Sequence, residues 1–124
     1  AIEAGVPLVM TSHALYTALD REAIASQSKA VLGILRDELG FNGVVVTDSI
    51  EAQAVLARSG VAEAAERSVE AGADLVLMTG SGSWNEVQPR LVARARRDRT
   101  FRARVDESAG RVIALKRMLG LPAP

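Results

Sequence analysis

One unit recurs three times along this chain: a glycine, a short apolar run without polar alternation, then small polar residues. It reads "AIEAGVPLVMTSH", "LRDELGFNGVVVTDS" and "SVEAGADLVLMTGS". The leading glycines Gly5, Gly40 and Gly72 stand 35 and 32 residues apart, the length of a βα repeat. A glycine just past a helical stretch is suited to the left-handed conformation that ends a helix. An apolar run with no alternation suits a parallel strand covered on both faces. The pattern predicts strands near residues 7–12, 43–48 and 74–79, made parallel neighbours by right-handed crossovers.

Helical segments fill the intervals. "SQSKAVLGILRDELG" puts Val31, Leu32, Leu35 and Leu39 on one face, with Ser26 or Ser28 as N-cap and Gly40 as the stop. "IEAQAVLARSG" and "VAEAAERSVEAG" read as one helical region broken near Ser59 and Gly60. "GSGSWNE" reads as a loop, "VQPRLVARARRD" as a helix with Pro89 near its start, and "VDESAGRVIALKRMLG" as a last helix before "LPAP". The order β-α-β-α-β-α-α defines an α/β fold, with residues 1–124 forming a single segment. Three strands leave two open edges. The inner face of such a sheet is expected to lack cover from the chain's own helices. Self-association as a homodimer, or association with the rest of a barrel, follows from that expectation.

Fifteen basic residues balance fifteen acidic ones, so no overall field favours nucleic acid or an anionic membrane. The absence of cysteine excludes disulfides and thiolate metal sites. "AIEAGVP" lacks the basic start and apolar core of a signal peptide, and no apolar run approaches the ~20 residues that span a bilayer. No HExxH, metal-spaced His/Asp cluster or GxSxG elbow occurs, and no cofactor is indicated.

Asp48 ends the second apolar run. An aspartate there serves either as a helix cap or turn residue, or as a functional carboxylate at the carboxyl end of a parallel strand, where barrels place their chemistry. "PLVMTSHALYTALDREAIASQSKAVLGILRDELGFNGVVVTDSIEAQAV" followed by "AAERSVEAGADLVLM" resembles the C-terminal part of the family-3 glycoside hydrolase catalytic barrel. That resemblance implies part of a (β/α)8 TIM-type barrel, about three parallel βα units plus a C-terminal helix. It implies a carbohydrate substrate, a β-N-acetylhexosaminide or β-glucoside, and Asp48 as catalytic nucleophile. His13 aligns with a histidine near the sugar site, and Ser12 and Ser49 flank the same region as substrate-binding candidates. Ser49 and Ala52 depart from the family pattern, where an aspartate and a methionine are frequent. The histidine acid/base of the hexosaminidase branch lies in a "KHFPGHG"-like loop, a motif this chain does not contain. The isolated chain is therefore expected to be inactive.

Other readings compete for the remaining features. For a lone histidine the plain alternative is a hydrogen-bonded structural residue. The arginine run from Arg90 to Arg104 reads as a solvated helix face rather than a nucleic-acid site. "TGSGSW" reads as a loop bordering the sugar, with a non-catalytic carbohydrate- or phosphate-binding module as the alternative function. Trp84 suits either sugar stacking or helix packing.

Overall fold

The computed structural model describes residues 1–123; the last proline of "LPAP" lies outside them. Strand β1 (Leu8–Thr11) pairs in parallel with β2 (Val44–Thr47), in the register Leu8 to Val44 through Thr11 to Thr47. Between them come a 3-10 turn at Ala25–Gln27, helix α1 (Lys29–Gly33) and a π-helical turn at Ile34–Glu38. After β2 follow α2 (Gln53–Leu56), α3 (Val61–Ala71), α4 (Ser83–Arg97) and α5 (Arg99–Met118). Gly5, Gly40 and Gly72 all take positive φ, as their places before the three runs require.

The expected third strand is reduced to one parallel bridge, Val46 to Leu75. The cause is local. The Leu75 N–H reaches the Val45 carbonyl and the Thr47 N–H reaches the Leu75 carbonyl. A continuing ladder would next send the Leu77 N–H to the Thr47 carbonyl and the Ser49 N–H to the Leu77 carbonyl. Instead the Thr47 hydroxyl accepts from Leu77 N at 3.1 Å, and it is Ile50 N that donates to the Leu77 carbonyl. One extra residue is thereby taken up between Thr47 and Ile50, a slip of the β-bulge kind.

Side chains of β2 alternate between two environments. Val45 packs with Leu32 and Phe41 in the helix layer, joined by Val9 and Leu35. Ile50, Ala65 and Val87 form a second cluster under Val76 and Met78, and Ile24, Val55 and Ala64 a third. The expectation that the inner face of the sheet lacks cover needs correction at β2, whose four residues are all buried. On that face Val44 lines a cleft with Gly110, Ala114 and Leu115 of α5, which folds back against the sheet. Apolar exposure remains to either side, at Met10 (54%) on β1 and Leu75 (36%) on the third segment.

Three helix details also differ from the sequence pattern. Leu39 is exposed because the π turn, closed by Leu39 N to the Ile34 carbonyl, rotates it off the buried face. Ser28, not Ser26, caps α1 by accepting from Val31 N. Helix α4 begins at Ser83, entered through Gly82 at φ 95°, so Trp84 lies in its first turn and Pro89 inside it rather than near its start. Trp84 is 61% exposed and lines an apolar trough with Met78, Leu91, Val105 and Val112.

A buried carboxylate joins the layers at the end of the sheet opposite Asp48. Asp74 accepts from Val45 N at 2.9 Å, from Ser108 Oγ at 3.2 Å, and from Arg36, Arg104 and Arg111. Arg36 also donates to the carbonyls of Phe41 and Gly43. Burial alone would raise the Asp74 pKa, but the Val45 N–H and the arginines more than offset it and hold the carboxyl below the usual carboxylate range. The arginine run is accordingly not one solvated face: Arg90 and Arg94 grip Glu66, Arg94 also grips Glu70, and Arg104 grips Asp74. Arg96, Arg97, Arg99 and Arg102 are exposed.

Candidate active site at the carboxyl end of the parallel strands

Asp48 follows the last residue of β2, and its N–H extends the ladder to the Thr11 carbonyl at 3.0 Å. Its side chain is exposed although Val44 to Thr47 before it and Ile50 after it are buried. The slip between Thr47 and Ile50 produces this arrangement. Ile50 turns into the helix layer while Asp48, two residues earlier, faces out. Asp48 Oδ1 accepts from Ser49 N at 2.7 Å, so the helix-cap reading survives only as a one-residue turn.

His13 lies under this turn and is buried. Its Nε2 meets the Ser49 carbonyl at 2.9 Å and its Nδ1 meets Ser26 Oγ at 2.7 Å. A carbonyl only accepts, so Nε2 carries the proton and, in the neutral ring, Nδ1 accepts from the Ser26 hydroxyl. Both ring nitrogens are thus engaged within the chain. Ser12 is exposed at the end of β1, where its hydroxyl accepts from Ala14 N at 3.3 Å and lies 3.4 Å from the Tyr16 hydroxyl. Asp20 ties the following loop together, accepting from Glu22 N, Ala23 N and Ser28 Oγ.

Glu51 is the residue of this mouth that sequence reasoning missed. Its Oε2 accepts from Ser49 Oγ at 2.8 Å and from Thr79 N at 2.9 Å, and its Oε1 accepts from Gly80 N at 3.1 Å. Thr79 Oγ1 lies 2.9 Å from Ser49 Oγ and closes the cluster. Burial would raise the Glu51 pKa; the hydroxyl of Ser83, the N–H groups of Thr79 and Gly80 and the hydroxyl of Ser49 outweigh it and hold the carboxyl at about 2. The fit around Gly80 is close: a Cβ there would stand 2.9 Å from Ser83 Oγ and 3.0 Å from Glu51 Oε1. Two N–H donors of the "TGSGS" loop, those of Thr79 and Gly80, therefore face a carboxylate of the chain itself rather than a bound phosphate. No spacing rule marks a glutamate three residues after an aspartate, so the sequence carried no signal for this contact.

Parallel βα units with a carboxylate standing clear of the strand ends define a segment of a (β/α) barrel with its mouth at Asp48. Residues 1–115 match the glycosyl hydrolase family 3 N terminal domain, and the chain belongs to that family. It is similar to a beta-hexosaminidase of Xanthomonas campestris pv. campestris (strain B100), 32% identical over 97% of this chain and 31% of that one. Among solved structures, the beta-N-acetylhexosaminidase from Beutenbergia cavernae DSM 12333 superposes with a TM-score of 0.86 at 41% identity, covering 93% of this chain and 35% of that one. The family 3 beta-N-acetylglucosaminidase from Paenibacillus sp. str. FPU-7 gives 0.90 at 40% identity, covering 99% and 24%. The chain thus spans about a third or less of the length of these relatives.

Proposed function

We propose that this chain is the nucleophile-bearing segment of a retaining glycoside hydrolase acting on β-linked N-acetylhexosaminides or glucosides, with Asp48 as the nucleophile. The observation that carries the reading is the exposure of the Asp48 carboxylate at the carboxyl end of β2, on a turn otherwise buried or hydrogen-bonded. In a retaining mechanism such a carboxylate attacks the anomeric carbon and forms a glycosyl ester. A second group protonates the departing oxygen, then activates the water that cleaves the ester. His13 is a poor candidate for that second group, since its proton is directed at the Ser49 carbonyl. In this reading His13 holds the turn, Ser12 offers its exposed hydroxyl to the sugar, and Ser49 reaches the substrate only through its place beside Asp48. The names of the hexosaminidase relatives favour an N-acetylhexosaminide over a glucoside.

The test is covalent. In a complete barrel, made by joining this chain to the preceding segment of the Beutenbergia cavernae relative, a fluorinated mechanism-based glycoside is expected to label Asp48, read by peptide mapping. A label on another carboxylate would refute the assignment. By itself the 124-residue chain is expected to hydrolyse aryl N-acetylglucosaminides only at the background rate, because proton transfer and substrate positioning each contribute orders of magnitude. Asp48-dependent turnover by the isolated chain would contradict this.

The same reading assigns a partner for the open edges of the sheet. With Met10, Leu75 and Trp84 exposed, the isolated chain is expected to self-associate at micromolar concentration, whereas a complete barrel covers those edges. Light scattering checks it, and a strictly monomeric chain would show that the cover supplied by α5 is sufficient.

A further inference from the structure

Glu51 belongs to no part of the chemistry assigned to Asp48, yet it is the most heavily bonded carboxylate at the mouth. Its oxygens take two consecutive backbone N–H groups, of Thr79 and Gly80, together with the hydroxyls of Ser49 and Thr79. All four are donors. An amide in the same place would turn its own N–H2 toward some of them, so the cluster requires the charged form. Ser49 is gripped from two sides, its hydroxyl by Glu51 and its carbonyl by His13, and its N–H in turn holds Asp48 Oδ1. The loop held on the other side is the one that leads from the third segment into α4.

Resting on the reading of Asp48 as nucleophile, we propose that Glu51 is the positioning residue of this site: its carboxylate latches the Thr79–Ser83 loop onto the Asp48 turn and fixes the nucleophile and that wall of the cleft in one arrangement. Glu51 acts through Ser49 and does not touch the sugar. The latch also accounts for Gly80. Any side chain there would enter the space between Ser83 and Glu51. Charge-assisted bonds of this kind are short and directional, and misplacing a reacting group by about 1 Å costs roughly 10²-fold in rate.

Two measurements test the latch. In the 124-residue chain, nuclear magnetic resonance is expected to show that Glu51→Gln moves the Thr79, Gly80 and Ser49 amide signals. Hydrogen exchange at Thr79 and Gly80 should rise at least about tenfold, with Val45 and Val46 unchanged. In the complete barrel, with active sites counted by the fluorinated label, Glu51→Gln is expected to lower kcat about 100-fold per labelled site and to change KM less than about threefold. Loss of overall stability alone would raise exchange throughout the chain and leave kcat per labelled site intact. Should Glu51→Gln not fold, Glu51→Asp keeps the charge but is one methylene too short to reach the Thr79 and Gly80 N–H groups, and the same kcat loss is expected. Unmoved amide signals overturn the latch even where Asp48 takes the label, as does full turnover per site. An active Asp48→Asn barrel would sink the nucleophile instead and leave the amide result standing.

Discussion

Replacing Asp48 by asparagine in the complete barrel is expected to lower kcat by about four orders of magnitude or more, the scale seen when a covalent nucleophile is removed. An amide is almost isosteric with the carboxylate but cannot form the glycosyl ester. Folding is expected to be unaffected. Asp48 is exposed, and the bond it receives from Ser49 N can still be accepted by the amide oxygen. Steady-state rates on an aryl N-acetylglucosaminide, set beside the thermal midpoint of each variant, separate the two effects. Ordinary turnover by the purified asparagine variant would remove Asp48 from the mechanism.

Asp74→Asn is expected to have the opposite character: a large loss of stability whose origin is remote from the sugar. Asp74 has no exposed side-chain surface, and the three arginines around it are 16–20% exposed. Removing one partner of a buried ion pair typically costs about 3–5 kcal/mol, a large share of the ~5–15 kcal/mol that holds a domain together. Urea denaturation should show the midpoint falling with the slope unchanged. The pH dependence has the same cause. Because the folded pKa of Asp74 lies below the ordinary carboxylate value, its contribution is fully present above about pH 4 and is lost as pH falls through the folded value. Equal stability of the two proteins at neutral pH would show that the arginines find other partners.

The parts of this fold that sequence could show are those encoded by local order. Glycines at helix ends and unbroken apolar runs marked the βα units and placed Asp48 at a strand end. Contacts formed between residues 28–38 positions apart left no periodic trace. Asp74 fell at the start of the strand expected at 74–79, and Arg104, one of its three arginines, in the run read as a solvated face. The reduced third strand was hidden for a related reason: "ADLVLMT" has strand composition, but a side-chain hydroxyl from Thr47 takes a bond that the ladder would use. Leu39 was placed on the buried face by a strict 3.6-residue period, which a π turn does not keep. His13 was legible as a residue type, while its two internal bonds depend on Ser26 and Ser49 meeting in space.

The slip between Thr47 and Ile50 makes the spacing of this site a matter of counting. Along a straight strand, residues 48 and 50 would share a side, and a nucleophile facing out would drag Ile50 out with it. The extra residue breaks that parity, so an apolar anchor and an exposed acid can be separated by a single serine. Position 49 is held by its own bonds, its N–H on Asp48 Oδ1, its carbonyl against His13 and its hydroxyl on Glu51. Deleting Ser49 would restore plain alternation, with Asp48 and Ile50 adjacent and on opposite sides, but would remove the carbonyl that His13 Nε2 meets and the hydroxyl that Glu51 holds. Moving this nucleophile onto another strand would mean transplanting Ser49 for the bonds it makes to Asp48, His13 and Glu51, and not for parity.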